Sequence, residues 1–113
     1  MTPDAHKHLP LSPATLHVLL ALTAGELHGY GIMHEVARQS AGQYKIGPGT
    51  LYDNLKKLLK LHLVEEAESD GTDRRRYRLT DAGGEVLRAE VECLDGVLRQ
   101  ARRSLRLIGR SQE

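Results

Sequence analysis

The 113-residue sequence contains no tryptophan, no phenylalanine and one cysteine, Cys93. A single thiol cannot close an internal disulfide or furnish a thiolate zinc site, so a disulfide scaffold is excluded and a reducing, cytoplasmic setting is expected. Four tyrosines are the only aromatic residues. No apolar run approaches the ~20 residues of a bilayer span, and Met1–Pro10 shows no signal-peptide pattern, so no membrane partner is expected. The length leaves room for one small domain, which rules out a large enzyme. With 40% hydrophobic and 27% charged residues, the composition is that of an ordinary folded chain.

A formal net charge of +1 says nothing about partners, but the charges are clustered. Lys45, Lys56, Lys57 and Lys60 stand against Asp53 alone. Glu65, Glu66, Glu68, Asp70 and Asp73 follow, and then Arg74, Arg75, Arg76 and Arg78. Basic groups separated by acidic ones predict localised contact points on a partner.

The pattern predicts a mainly α fold with a small β-hairpin. Ser12-Pro13 opens a first helix, with Ser capping free amides and Pro at the first helical position. The apolar residues Leu16, Val18, Leu19, Leu20 and Leu22 surround that helix, which places it centrally. A second helix is expected over Gly29–Ser40, with Tyr30, Met33, Val36 and Ala37 on one face. A third runs from Gly47-Pro48-Gly49 to near Leu61, carrying Leu51, Leu55, Leu58 and Leu59 on its core side. Two strands, Leu63–Ser69 and Arg74–Leu79, flank the turn Asp70-Gly71-Thr72-Asp73. Thr80 caps a long last helix in which Leu87, Val91, Leu94, Leu98, Ala101, Leu105 and Ile108 alternate by four and three residues, the seam of a two-stranded coiled coil. Such a helix spans ~40 Å, more than so small a body can cover, and therefore predicts a homodimer. Its acidic first half and its arginine-rich second half suit the helix dipole and would let two copies cross antiparallel. The expected division is a flexible lead over residues 1–10, a winged helix-turn-helix over 11–80, a dimerisation helix over 81–108 and a tail over 109–113.

A polar helix beside a basic hairpin is suited to double-stranded DNA: the helix enters a major groove ~12 Å wide while the hairpin reaches the flanking backbone. Thr50, Tyr52 and Asn54 occupy the first turns of that helix, where base edges are met, and Asn can pair bidentately with adenine. Lys45, Lys56 and Lys57 would neutralise phosphates; Tyr30, Arg74, Arg75 and Arg76 complete the expected contact set.

The order His28-Gly29-Tyr30-Gly31-Ile32, Pro48-Gly49-Thr50-Leu51-Tyr52, Leu55 with Leu58, Leu63-Val64, and Arg76-Tyr77-Arg78-Leu79-Thr80 with Gly83 resembles the PadR family of bacterial transcriptional regulators. The resemblance covers Leu11 to about Leu87 and is closest to the short-form members with one terminal dimerisation helix. It implies a repressor that binds a pseudo-palindromic operator as a homodimer and is released by a small-molecule inducer at the dimer interface. Some relatives hold such a ligand between aromatic residues, which a chain without Trp or Phe supplies poorly, so an apolar pocket lined by leucines, or no ligand at all, stays open. Three positions depart from the family pattern: Gly47 stands where Ser is usual, Asp53 where Pro is common, and His62 where Gly is common. A positive φ at His62 would be tolerated at some cost.

Plainer roles compete with these. The tyrosines can be core residues with one wet edge, the lysines a solvated face, and Arg74 and Arg76 can pair across the hairpin with Glu65, Glu66 or Glu68. His28 is a helix-start residue, and the six histidines show no metal spacing. Neither a catalytic spacing nor a cofactor motif is present, so no enzyme, metal or cofactor is expected. The competing reading of the whole chain is a winged-helix module that binds another protein through the same polar helix, with no operator preference.

Overall fold

The computed structural model describes residues 3–67 and 74–111. A short helix α1 (Pro3–His6) precedes α2 (Pro13–Ala21), a 3-10 turn over Leu22–Ala24, β1 (Leu27–His28), α3 (Gly29–Gln39), α4 (Pro48–Lys60), β2 (Val64–Glu66), β3 (Arg76–Leu79) and the 31-residue α5 (Asp81–Ser111). The expected turn at Asp70–Asp73, and Glu68 before it, lie outside the described residues.

The core is aliphatic. Val18, Leu19 and Ala21 of α2 are fully buried, and Ile32 and Val36 of α3, Leu51, Leu55 and Leu58 of α4, and Val86 and Ala89 of α5 close around them. Ser12 caps α2, its hydroxyl accepting from the Thr15 amide at 3.2 Å, and Pro13 follows as expected. In α3 the buried edge runs through Gly29, Ile32 and Val36. Tyr30, expected on the apolar face, points outward instead, because the helix is turned to bury its two β-branched residues.

The hairpin is a three-stranded antiparallel sheet, ordered β1-β3-β2. Val64 pairs with Leu79, Glu65 with Arg78 and Glu66 with Tyr77, while Leu27 and His28 add to the other edge of β3 opposite Tyr77 and Arg76. Tyr77 and Leu79 share one face, so the phenol of Tyr77 is buried at the sheet base. The step from α4 into the sheet passes through His62 at φ 59°, in the left-handed region. Gly83, in the first turn of α5, packs so tightly that an added Cβ would sit 2.0 Å from the Leu63 carbonyl oxygen.

Residues 3–10, read from sequence as a flexible lead, include α1 with Ala5 buried, and the Leu11 amide donates to the carboxylate of Glu90 at 2.6 Å. Glu90 is itself buried on α5. Beyond it every described residue of α5 is exposed, including Val91, Leu94, Val97, Leu98, Leu105, Leu107 and Ile108. The helix projects from the body and gives the molecule its extents of 64 × 33 × 21 Å. No described helix is long and apolar enough to cross a membrane.

Candidate nucleic-acid interface

Helix α4 divides cleanly. Leu51, Leu55 and Leu58 fasten it to the core, leaving Gly49, Thr50, Tyr52, Asp53, Lys56, Lys57 and Lys60 exposed. Pro48 supplies the first helical position, but Gly47 as N-cap offers no side chain to the free amides.

Two features place the face in space. On one flank, the Tyr52 ring lies over Gly29 at the start of α3, where a Cβ would meet the phenol oxygen at 2.3 Å. A side chain at Gly29 would therefore displace Tyr52. On the other flank, Thr15 of α2 donates its hydroxyl to Asn54 Oδ1 at 2.7 Å, and Asn54 Nδ2 donates to the Thr50 carbonyl at 2.8 Å. Asn54 thus joins α4 to α2 with both ends of its amide engaged, and it is half-buried where Thr50 and Tyr52 are exposed. Its expected role as an adenine reader has no support in this geometry. The cause is tertiary: Asn54 sits beside the leucine stripe, where the α2 N-terminus crosses it.

Four of the expected contact residues meet in a cleft of about 650 Å³ lined by Tyr30, Tyr52, Arg74 and Arg75, with His28 and Tyr77 at its base. Tyr30 is 66% exposed and Tyr52 50%, so neither is a core tyrosine. The Tyr30 ring meets His34 edge-on at 4.4 Å. Lys45 lies on the far side of Tyr30, in a shallow hollow with Met33 and Ile46. The cleft therefore runs from the start of α3, past α4, to the base of the wing.

The wing arginines divide by position. Arg78 is held by Glu65 at 2.8 Å and by Glu26 at 3.2 Å, and these carboxylates, Glu65 first, raise its pKa above the ordinary guanidinium value. Arg75 keeps a looser contact to Glu66 at 3.6 Å and remains largely exposed. Arg76 is half-buried on β3 and engaged within the fold, while Arg74 and Arg75 reach the cleft. Burial pushes the Tyr77 phenol up, aided by the charge of Glu66 and opposed by Arg75, so Tyr77 stays a neutral hydrogen-bonding group at the cleft base. Lys60, left out of the contact set expected from sequence, is exposed on the same helix. The signal for it was present, since it lies one helical turn after Lys56 and Lys57.

Of the expected seam on α5, Leu87 is buried in the core of its own chain, whereas Val91, Leu94, Leu98, Ala101, Leu105 and Ile108 are exposed. A groove of about 440 Å³ between Thr23, Leu79, Leu87 and Val91 runs into this exposed stripe.

Comparison with known proteins agrees with this architecture. Residues 18–89 match the model of the transcriptional regulator PadR-like family. The transcriptional regulator Rv3488 of Mycobacterium tuberculosis is 34% identical over 87 residues, covering 75% of this chain and 78% of that protein. A 37.1 kDa protein of transposon TN4556 from Streptomyces fradiae is 38% identical over 81 residues; the match covers 72% of this chain but only 23% of that longer protein. Among solved structures, a PadR family transcription regulator from Clostridium difficile superposes with a TM-score of 0.70 at 17% identity, covering 83% of this chain and 99% of that one. Bacillus subtilis PadR, solved in complex with operator DNA, superposes with a TM-score of 0.62 at 24% identity, covering 73% of this chain and 48% of that one. The chain belongs to the PadR-like family of transcriptional regulators.

Proposed function

We propose that this regulator is a repressor that binds a pseudo-palindromic operator as a homodimer, reading bases with the N-terminal half of α4 and holding the backbone with Lys45, Lys56, Lys57 and the wing. The observation that carries this reading is the exposed polar face of α4 next to a cleft into which Arg74 and Arg75 project. Thr50 and Tyr52 lie where side chains of a groove-inserted helix meet base edges, and the cationic side chains supply sequence-independent attraction. The operator-bound state of Bacillus subtilis PadR supports the same use of the fold.

The dimer is supported by the exposed stripe of α5. A stripe of six exposed seam residues on a projecting helix is costly in water at roughly 25 cal/mol per Å² of apolar surface, and a second copy covers it with its own stripe. Two-fold symmetry then sets the two α4 helices to successive major grooves, about 34 Å apart. A small-molecule inducer acting at the dimer interface has apolar space in the groove between Leu79, Leu87 and Val91.

The test is titration against the duplex upstream of the chain's own coding sequence and against a shuffled duplex, at two salt concentrations. Preference for the upstream duplex with a steep salt slope is expected. Negligible binding to any DNA at low salt would overturn the reading in favour of a protein-binding module.

A further inference from the structure

The cleft accounts for one flank of α4. The opposite flank carries a second group of cations that belongs to no element of the wing. Lys57 lies there and shares a cavity of about 260 Å³ with His8, Pro10, Ser12 and Leu61. A smaller neighbouring cavity adds Lys7, again with His8 and Leu61, and contains one acid, Glu85.

The segment bearing Lys7 and His8 is pinned at both ends. Before it, Ala5 is 3% exposed against the core; after it, Leu9 and Leu11 pack on the core and the Leu11 amide is held by the buried carboxylate of Glu90. Lys7 itself is exposed and His8 half-buried, so the held backbone presents His8 beside Lys57 and Lys7 next to His8. Fixing them in the free protein removes most of the ordering cost that a disordered basic arm incurs on binding.

We propose that Lys7 and His8 form, with Lys57, a second backbone-contact site for double-stranded DNA, on the side of α4 opposite Arg74 and Arg75. The inference rests on the DNA reading of α4 and adds to it: a helix inserted in a major groove is bordered by two phosphate strands, and the wing side reaches only one of them. Lys7 acts as a point charge. The His8 imidazole donates an N–H to a phosphate oxygen in either protonation state. Because phosphates carry no sequence information, this site raises affinity for operator and non-operator DNA alike.

The test compares wild-type protein with Lys7→Ala/His8→Ala and with Lys7→Arg, on operator and shuffled duplexes across a salt series. One lost phosphate contact lowers the slope of log affinity against log salt by about 0.9 and weakens binding by roughly threefold at moderate salt. The double variant is expected to lose at least that much, the Lys7 charge alone accounting for it, equally on both duplexes, with its melting temperature and oligomeric state unchanged, and Lys7→Arg is expected to retain wild-type binding. If wild-type protein shows a steep slope and the folded double variant reproduces it, the N-terminal site is refuted while the α4 reading stands. If the wild type itself shows no salt-dependent binding, it is the α4 reading that fails. Should the double variant melt early, Lys7→Ala alone, at an exposed position, carries the comparison, and an unchanged slope for it refutes the site.

Discussion

At the scale of single residues, a side chain's role is decided by which neighbour claims its polar atoms. Asn54 and Tyr52 are two positions apart on α4, yet Asn54 is bound by Thr15 and the Thr50 carbonyl while Tyr52 stays half-exposed over Gly29. Asn54→Ala leaves the Thr15 hydroxyl without its acceptor and should cost about 1–2 kcal/mol in denaturant unfolding, with DNA affinity of the folded protein nearly unchanged. A variant as stable as wild type but unable to bind operator would restore Asn54 as a reader. His62 holds a φ of 59°, where a side chain crowds the following carbonyl. His62→Gly should therefore stabilise the fold by about 1 kcal/mol, measured as a higher melting temperature at fixed protein concentration. Gly83→Ala drives a methyl into the Leu63 carbonyl and should destabilise by about 2–3 kcal/mol or more, since backbone on both sides must move. The family resemblance raised a positive φ at His62 only as a condition, and the structure meets it at 59°. The capture of Asn54 was not legible in the sequence, because it depends on where α2 crosses α4, a tertiary fact absent from any local pattern.

At the scale of elements, periodicity succeeded where segments were long. Helices α2, α3 and α4 fall within a residue or two of their expected bounds, since caps such as Ser12-Pro13 and stripes such as Leu51, Leu55 and Leu58 leave little choice, whereas α5 runs on to Ser111, into the stretch read as a tail over 109–113. Two short elements left no such signal. Strand β1 has two residues, too few for alternation, and exists because β3 offers Tyr77 and Arg76 as partners. Helix α1 is one turn and is held by packing against α5. For α3 the expected face of Tyr30, Met33, Val36 and Ala37 held except at Tyr30: Val36 is buried, Met33 packs on the core and Ala37 is half-buried, but Tyr30 is exposed and Ile32, left off that face, is buried instead. The element with the most left to explain is α5, whose seam beyond Val91 meets water in the single chain. Leu94→Asp with Leu98→Asp places charge in that seam and should convert a dimer to a folded monomer, read by analytical ultracentrifugation. A soluble intact dimer of this variant would refute the seam.

At the scale of the whole molecule, two surfaces remain unsatisfied in one chain, the apolar stripe of α5 and the cationic face of α4. The proposed homodimer would cover the first and, by its two-fold symmetry, present the second twice. Charge clustering was readable along the chain, and the structure gathers Arg74 and Arg75 with Tyr30 and Tyr52 in one cleft while assigning Arg78 to internal ion pairs. The Glu26 partner of Arg78 could not be read from spacing, because Glu26 reaches it from the residue before β1, on the other edge of β3. The central claim is that the outer face of α4 meets DNA. Its most direct test is the salt-dependent affinity of Lys56→Ala/Lys57→Ala for operator duplex beside wild type. The account predicts weaker binding, a salt slope shallower by about 1.8 for two lost phosphate contacts, and an unchanged oligomeric state. A variant with wild-type affinity and slope would contradict it.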